Sequence, residues 1–269
     1  MEQINRGDIV IKIYIFVDME GTSGVSGSDF VITDKRLYAE GRRYYTEDVN
    51  ACIKGCFKGG ATSVIVRDGH GSGNHIIWDA LDERAELVQG NSGGQRFPGI
   101  DECNALILLG YHAMAGTAGA LLEHTYSSAG IQNYWLNGKR VGEIGIDAMI
   151  AAEHGVPTIL VTGDDYACRE ASEWIPGVHT CIVKYGLSCN GARLLPKNEA
   201  HRLISEAASC AVAKASQISP IKVTCPVKLR VEVVERGAIP DKNMPNIAII
   251  DGRTYERTSS SLEGALYGR

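Results

Sequence analysis

Short apolar runs, each closed by a polar cluster or a glycine, recur along the chain: IVIKIYIFV before Asp18, ATSVIV before Arg67, NALILL before Gly110 and PTILVT before Gly163. Runs of this length, rich in Val and Ile, fit strands buried on both faces of a parallel sheet. Between them lie stretches with helical spacing of apolar positions, Leu37 to Phe57, Glu143 to His154 and Asn198 to Gln217. The alternation predicts an α/β fold of three layers, a mostly parallel sheet flanked by helices.

The segment from Pro226 to Glu235 breaks this pattern. In PVKLRVEVVE apolar and charged residues largely alternate, as on a strand with one wet face, so a smaller C-terminal β-containing portion is expected there. This divides the chain into an α/β core at 1–225 and, at 226–269, a strand followed by the start of a helix in SSLEGALYGR, either part of the same domain or an oligomer contact. The glycine-rich stretch from Gln89 to Gly99 reads as a loop between two elements.

Composition narrows the possibilities. Hydrophobic residues make up 44% of the 269 positions, enough for a sizeable core. A formal net charge of −5 and the lack of any Lys/Arg run leave no basic field for a phosphate backbone, so no nucleic-acid partner is expected. The first apolar run is interrupted by Lys12, is too short to span a bilayer and lacks a small-residue cleavage site. The expectation is a cytoplasmic chain with no membrane partner. Its eight cysteines show no CxxC pair and read as free thiols, with Cys52 and Cys56, four apart in a helical pattern, as core packing.

The chemistry-bearing residues cluster where strands end, the place where open parallel sheets bind ligands. Asp18 and Glu20 close the first strand in VDMEG, and residues two apart on an extended chain share a face. His70 follows the second strand in RDGHG, His112 follows the third in GYHA, and Glu143 opens a helical pattern in VGEIG. Carboxylates and imidazoles without thiolate suit zinc or manganese in a catalytic centre. Three carboxylates and a bridging hydroxide would match the charge of two divalent ions, a known arrangement for hydrolysis. Asp164 and Asp165, in VTGDDYA, fit either a helix cap or a partner behind the ligands. His75, His154, His179 and His201 lack the strand-end placement and read as structural or exposed.

The segments VDMEGTSGV, RDGHGS, LLGYHAMAGT, LEHTYS, LNGKRVGEIGIDA and VPTILVTGDD, in this order, resemble the zinc-dependent D-aminopeptidases, including the dipeptide-transport-operon type, from about Lys12 to at least Val234. The resemblance implies two zinc ions per subunit that share Asp18, with Glu20 and His112 on one and His70 and Glu143 on the other. It also implies an active-site histidine at His124, acting as nucleophile or as general acid and base. It further implies hydrolysis of short peptides containing D-amino acids inside a self-compartmentalising homo-oligomer, a decameric ring. The sequence departs from the family pattern at Glu123, where a small apolar residue usually precedes the histidine.

Two other functions fit parts of the sequence. DMEGT is similar to the DxDGT signature of haloacid-dehalogenase phosphatases, in which Asp18 would be the nucleophile beside magnesium, but Glu20 stands where a second Asp belongs and His70, His112 and Glu143 are left unused. A non-catalytic peptide-binding ring would keep the ligands for folding alone.

Overall fold

Strand β1 (Lys12–Val17) carries apolar side chains to both faces of a sheet, as its unbroken run predicts. In the computed structural model, which describes residues 10–268, Ile13, Ile15 and Val17 pack on one side against α1 (Tyr38–Lys58) and α4 (Lys197–Ala213). Tyr14 and Phe16 point the other way, into a second core that includes Ile144, Ile146 and Ile150 of α2 (Glu143–Glu153). The alternation of a strand's side chains thus builds two cores on one sheet. Each fully buried Ile, Val or Phe contributes roughly 1.5 to 3 kcal/mol by leaving water.

The sheet also holds β2 (Ser63–Asp68), β3 (Ala85–Val88), β4 (Ala105–Tyr111), β7 (Thr158–Asp164), β8 (His179–Ser188) and β9 (Gly191–Leu194). Its order is β3-β2-β1-β4-β7-β8-β9, parallel except for the β8–β9 pair. Winding runs outward in both directions from the β1–β4 pair. That pair is therefore the topological switch point, where an open sheet leaves a crevice beyond its strand ends. Helix α3 (Asp165–Trp174) joins β7 to β8 and buries Ala167 and Ala171 in the same core as α2.

A second, antiparallel sheet of order β11-β12-β10-β5-β6 covers the α2 side. Its strands are β5 (Ile131–Leu136), β6 (Lys139–Val141), β10 (Val227–Val233), β11 (Ile247–Ile249) and β12 (Thr254–Ser259). The alternating segment is indeed a strand with one wet face, since Val227, Leu229, Val231 and Val233 are buried and Lys228 is exposed. The sheet draws β5 and β6 from well before residue 225, so the two portions of the chain share it. Helix α5 (Leu262–Tyr267) is capped by the Ser261 hydroxyl oxygen, which accepts from the Gly264 amide at 3.0 Å.

All eight cysteines are free, and Cys52 and Cys56 are fully buried in the α1 core. No helix among the described residues is long and apolar enough to cross a membrane. The first nine residues of the N-terminal stretch lie outside the described part of the chain.

Candidate metal centre

Asp18 and Glu20 leave the end of β1 in a tight loop laid against the end of β4. The Asp18 amide donates to the Leu109 carbonyl at 2.8 Å and the Gly21 amide to the Gly110 carbonyl at 2.7 Å. Glycine is required at this approach, because a Cβ on Gly21 would lie 2.1 Å from the Tyr111 carbonyl oxygen. The two strands of the switch point thus hold Asp18 within reach of His112.

The five residues expected as ligands converge. His70 Nδ1 lies 3.1 Å from Asp18 Oδ1 and 3.0 Å from Glu20 Oε2. On the other side of the same carboxylate, His112 Nε2 lies 3.3 Å from Asp18 Oδ2 and 3.3 Å from Glu143 Oε1. Asp18, Glu20 and His112 offer three ligand atoms within 4.8 Å of one another, and so do His112, His124 and Glu143. His70 therefore touches Glu20 and His112 touches Glu143, while Glu20 and His112 are also close enough to share an ion.

The far nitrogen of each imidazole shows which atoms face inward. His70 Nε2 sits 3.0 Å from the Val31 carbonyl and His112 Nδ1 sits 3.0 Å from the Ala113 carbonyl. A carbonyl can only accept, so both outer nitrogens carry the proton, and the lone pairs of His70 Nδ1 and His112 Nε2 point at carboxylate oxygens. Two acceptors do not meet without positive charge between them. His112 Nε2 and Glu20 Oε2 are buried atoms with no hydrogen-bond partner, which is the environment a divalent ion satisfies. The residues fit the metal.

Without an ion, the same carboxylates draw a second proton onto each imidazole, so a proton or a metal must supply the positive charge between them. Burial opposes ionisation of Asp18, but the imidazoles of His112 and His70 on either side hold its carboxyl well below the usual range. Burial alone would lower His70 and His112; Glu20 and Asp18 raise the first well above the usual imidazole value, and Asp18 and Glu143 do the same to the second. Glu143, pushed up by burial and pulled down more strongly by His112, stays ionised.

His124 lies in a loop that is bent twice. Leu122 and Tyr126, on either side of it, adopt φ of 49° and 60°, the left-handed region that non-glycine residues rarely occupy. The bends are tied down by the Leu122 amide on the Cys189 carbonyl at 2.9 Å and by the Tyr126 amide on Glu143 Oε1 at 2.7 Å. His124 Nδ1 is 2.8 Å from the Leu122 carbonyl, so Nε2 carries the lone pair, 3.9 Å from Glu143 Oε1. Glu123, the departure from the family pattern, turns back to accept the Gly116 amide.

Asp18, Glu20, His70, His124 and Glu143 line a cavity of about 590 Å³, together with Arg96, Ser127, Ser128, Cys189 and Asn190. A family model described as D-aminopeptidase matches residues 11–267. The chain belongs to the D-aminopeptidase family. A D-aminopeptidase of Bacillus subtilis (strain 168) is 34% identical to it over 247 residues, which is 91% of this chain and 89% of the relative. The solved structure of the Zn-dependent D-aminopeptidase DppA from Bacillus subtilis, a self-compartmentalizing protease, superposes with a TM-score of 0.90 at 32% identity, covering 96% of this chain and 94% of that one. Membership in the D-aminopeptidase family makes the chain a metallo-aminopeptidase and rules out the haloacid-dehalogenase reading, in which Asp18 would have to be open to attack rather than held between two imidazoles.

Other side chains of this D-aminopeptidase family member support the site from behind. Lys184 is fully buried on β8 and donates to the carbonyls of Glu20, Thr22 and Val25 at 2.6, 2.8 and 2.8 Å, clamping the loop that carries Glu20. The signal was a lysine inside the apolar run CIVKYG. Arg96 forms a two-pronged pair with Asp147, which lies one helical turn after Glu143 on α2, a spacing that puts both acids on one face. Asp164 is both cap and support: Oδ1 accepts the Ala167 amide at 2.8 Å and Oδ2 accepts the Leu121 amide at 3.0 Å, ahead of His124. His75, read as structural, packs edge-on against His70 with ring centroids 4.8 Å apart.

Proposed function

We propose that the chain removes N-terminal residues from short peptides containing D-amino acids by means of a two-zinc centre. Asp18 is shared between the ions, Glu20, His70, His112 and Glu143 complete their shells, and His124 acts on the scissile bond. The observation that carries this reading is the pair of imidazoles, His70 and His112, whose lone pairs face opposite oxygens of one buried carboxylate. Zinc held by this set supplies Lewis-acid polarisation of a carbonyl and a lowered pKa for water. With its Nδ1 proton fixed on the Leu122 carbonyl, His124 presents Nε2 to the cavity, either to accept a proton from water and pass it to the leaving amine or to attack the carbonyl itself. Both roles use the same nitrogen.

The relative's self-compartmentalizing assembly supports a ring of copies for this chain, a decamer by the family resemblance, which would admit only short peptides. Eight unpaired cysteines support a reducing, cytoplasmic setting. The test is an assay of D-Ala-D-Ala and L-Ala-L-Ala before chelation, after it, and after zinc is restored. Cleavage of the D-peptide that is lost and regained with zinc supports the proposal; cleavage of the L-peptide alone overturns the stereochemical part.

A further inference from the structure

Arg96 is the only lysine or arginine, among the described residues, that lines the cavity; the carboxylates there are those of Asp18, Glu20, Glu123 and Glu143. Its guanidinium is fixed before any ligand arrives. Nε and Nη2 donate to the two oxygens of Asp147 at 2.8 and 2.7 Å, and the group lies over the rings of Phe16 and Tyr126, 4.4 and 5.1 Å from their centroids. Asp147 is in turn held by the Tyr111 hydroxyl at 2.6 Å and the Tyr126 hydroxyl at 3.3 Å.

This fork leaves the other edge of the guanidinium available. Nη1 makes no hydrogen bond among the described residues, yet it is not one of the buried atoms that lack a partner, so it meets solvent, and the solvent beside Arg96 is the cavity. On the same edge, Nη2 stands 3.7 Å from Glu143 Oε2. A planar guanidinium edge matches a carboxylate, two donors to two acceptors.

We propose that Arg96 is a specificity-determining residue that receives the C-terminal carboxylate of a short peptide substrate, so that the free acid is preferred to a peptide blocked at that end. This rests on the aminopeptidase reading above. It explains why a cation is held rigidly beside an acidic centre: among the described residues, Arg96 is the one cationic side chain of Lys or Arg type on the cavity wall that a peptide's carboxylate can meet.

The experiment compares D-Ala-D-Ala with its C-terminal amide on the zinc-loaded protein, and repeats the comparison with Arg96→Lys, which keeps the charge opposite Asp147 but loses the planar fork. Charge-assisted hydrogen bonds of this kind correspond to a preference of on the order of 10- to 100-fold in kcat/KM for the free acid, expressed mainly in KM. Arg96→Lys should narrow that preference while zinc content, read by elemental analysis, stays unchanged. Equal kcat/KM for acid and amide in the unaltered protein overturns the inference and leaves the aminopeptidase reading standing. Cleavage of neither overturns both. A fall of equal size for both substrates in Arg96→Lys, with the preference intact, shows that Arg96 only positions Glu143 and also overturns the inference.

Discussion

The imidazoles of His112 and His124 lie face to face, 4.0 Å between ring centroids and 9° between planes. Each has its Nδ1 on a backbone carbonyl, so both present Nε2 toward Glu143 Oε1, at 3.3 and 3.9 Å. Exposure distinguishes them. The His112 side chain is 1% exposed and faces carboxylates, whereas that of His124 is 18% exposed and forms part of the cavity wall.

His124→Ala should therefore keep its zinc and lose turnover by about 10² to 10⁴-fold, the usual contribution of a positioned acid or base. Elemental analysis and a peptide assay on the same preparation check this. Loss of zinc together with activity would instead make His124 a ligand.

The sheet and the placement of Asp18, Glu20, His70 and His112 at its end were legible because each depends on local order: an apolar run sets a strand, and the residues after it stand at the sheet's end. The second sheet was largely missed because β5 and β6 are short and only partly buried, although Asn137 and Gly138, at φ of 49° and 87°, form the kind of two-residue turn that marks a hairpin. Lys184 and Arg96 were hidden for a different reason. Their partners lie 164 and 51 residues away, at Glu20 and Asp147, and such pairings depend on the folded topology rather than on spacing along the chain.

Lys184→Met should weaken zinc binding, because the loop from Glu20 to Val25 loses the ammonium that gathers three of its carbonyls. Supports behind metal ligands commonly alter affinity by about 10- to 100-fold. Competition against a chelator measures this, with the melting temperature of zinc-free protein as the control. Unchanged affinity with a lower melting temperature would restrict Lys184 to holding the fold.

Glu170 gives a pH signature. Burial pushes its carboxyl up to about 7, against the Met114 amide that donates to Oε2 at 2.7 Å and the nearby His112. Between the ordinary value of 4.5 and about 7 the folded chain holds a proton that the unfolded chain has released, so this contribution to stability is full below 4.5 and is lost as pH rises to 7. Glu170→Gln should remove that slope, and above pH 7 the variant should be more stable than the parent by an amount on the order of 3 kcal/mol. Denaturant unfolding of both proteins at pH 5 and pH 8 checks the sign; a parent that gains stability relative to the variant at the higher pH would contradict it.

The most direct test of the shared-carboxylate centre is zinc counted per chain by elemental analysis in the unaltered protein and in Asp18→Ala. Two zinc ions falling together to none is the expected result, since Asp18 lies against both His70 and His112. One or both ions retained in Asp18→Ala would contradict the bridge.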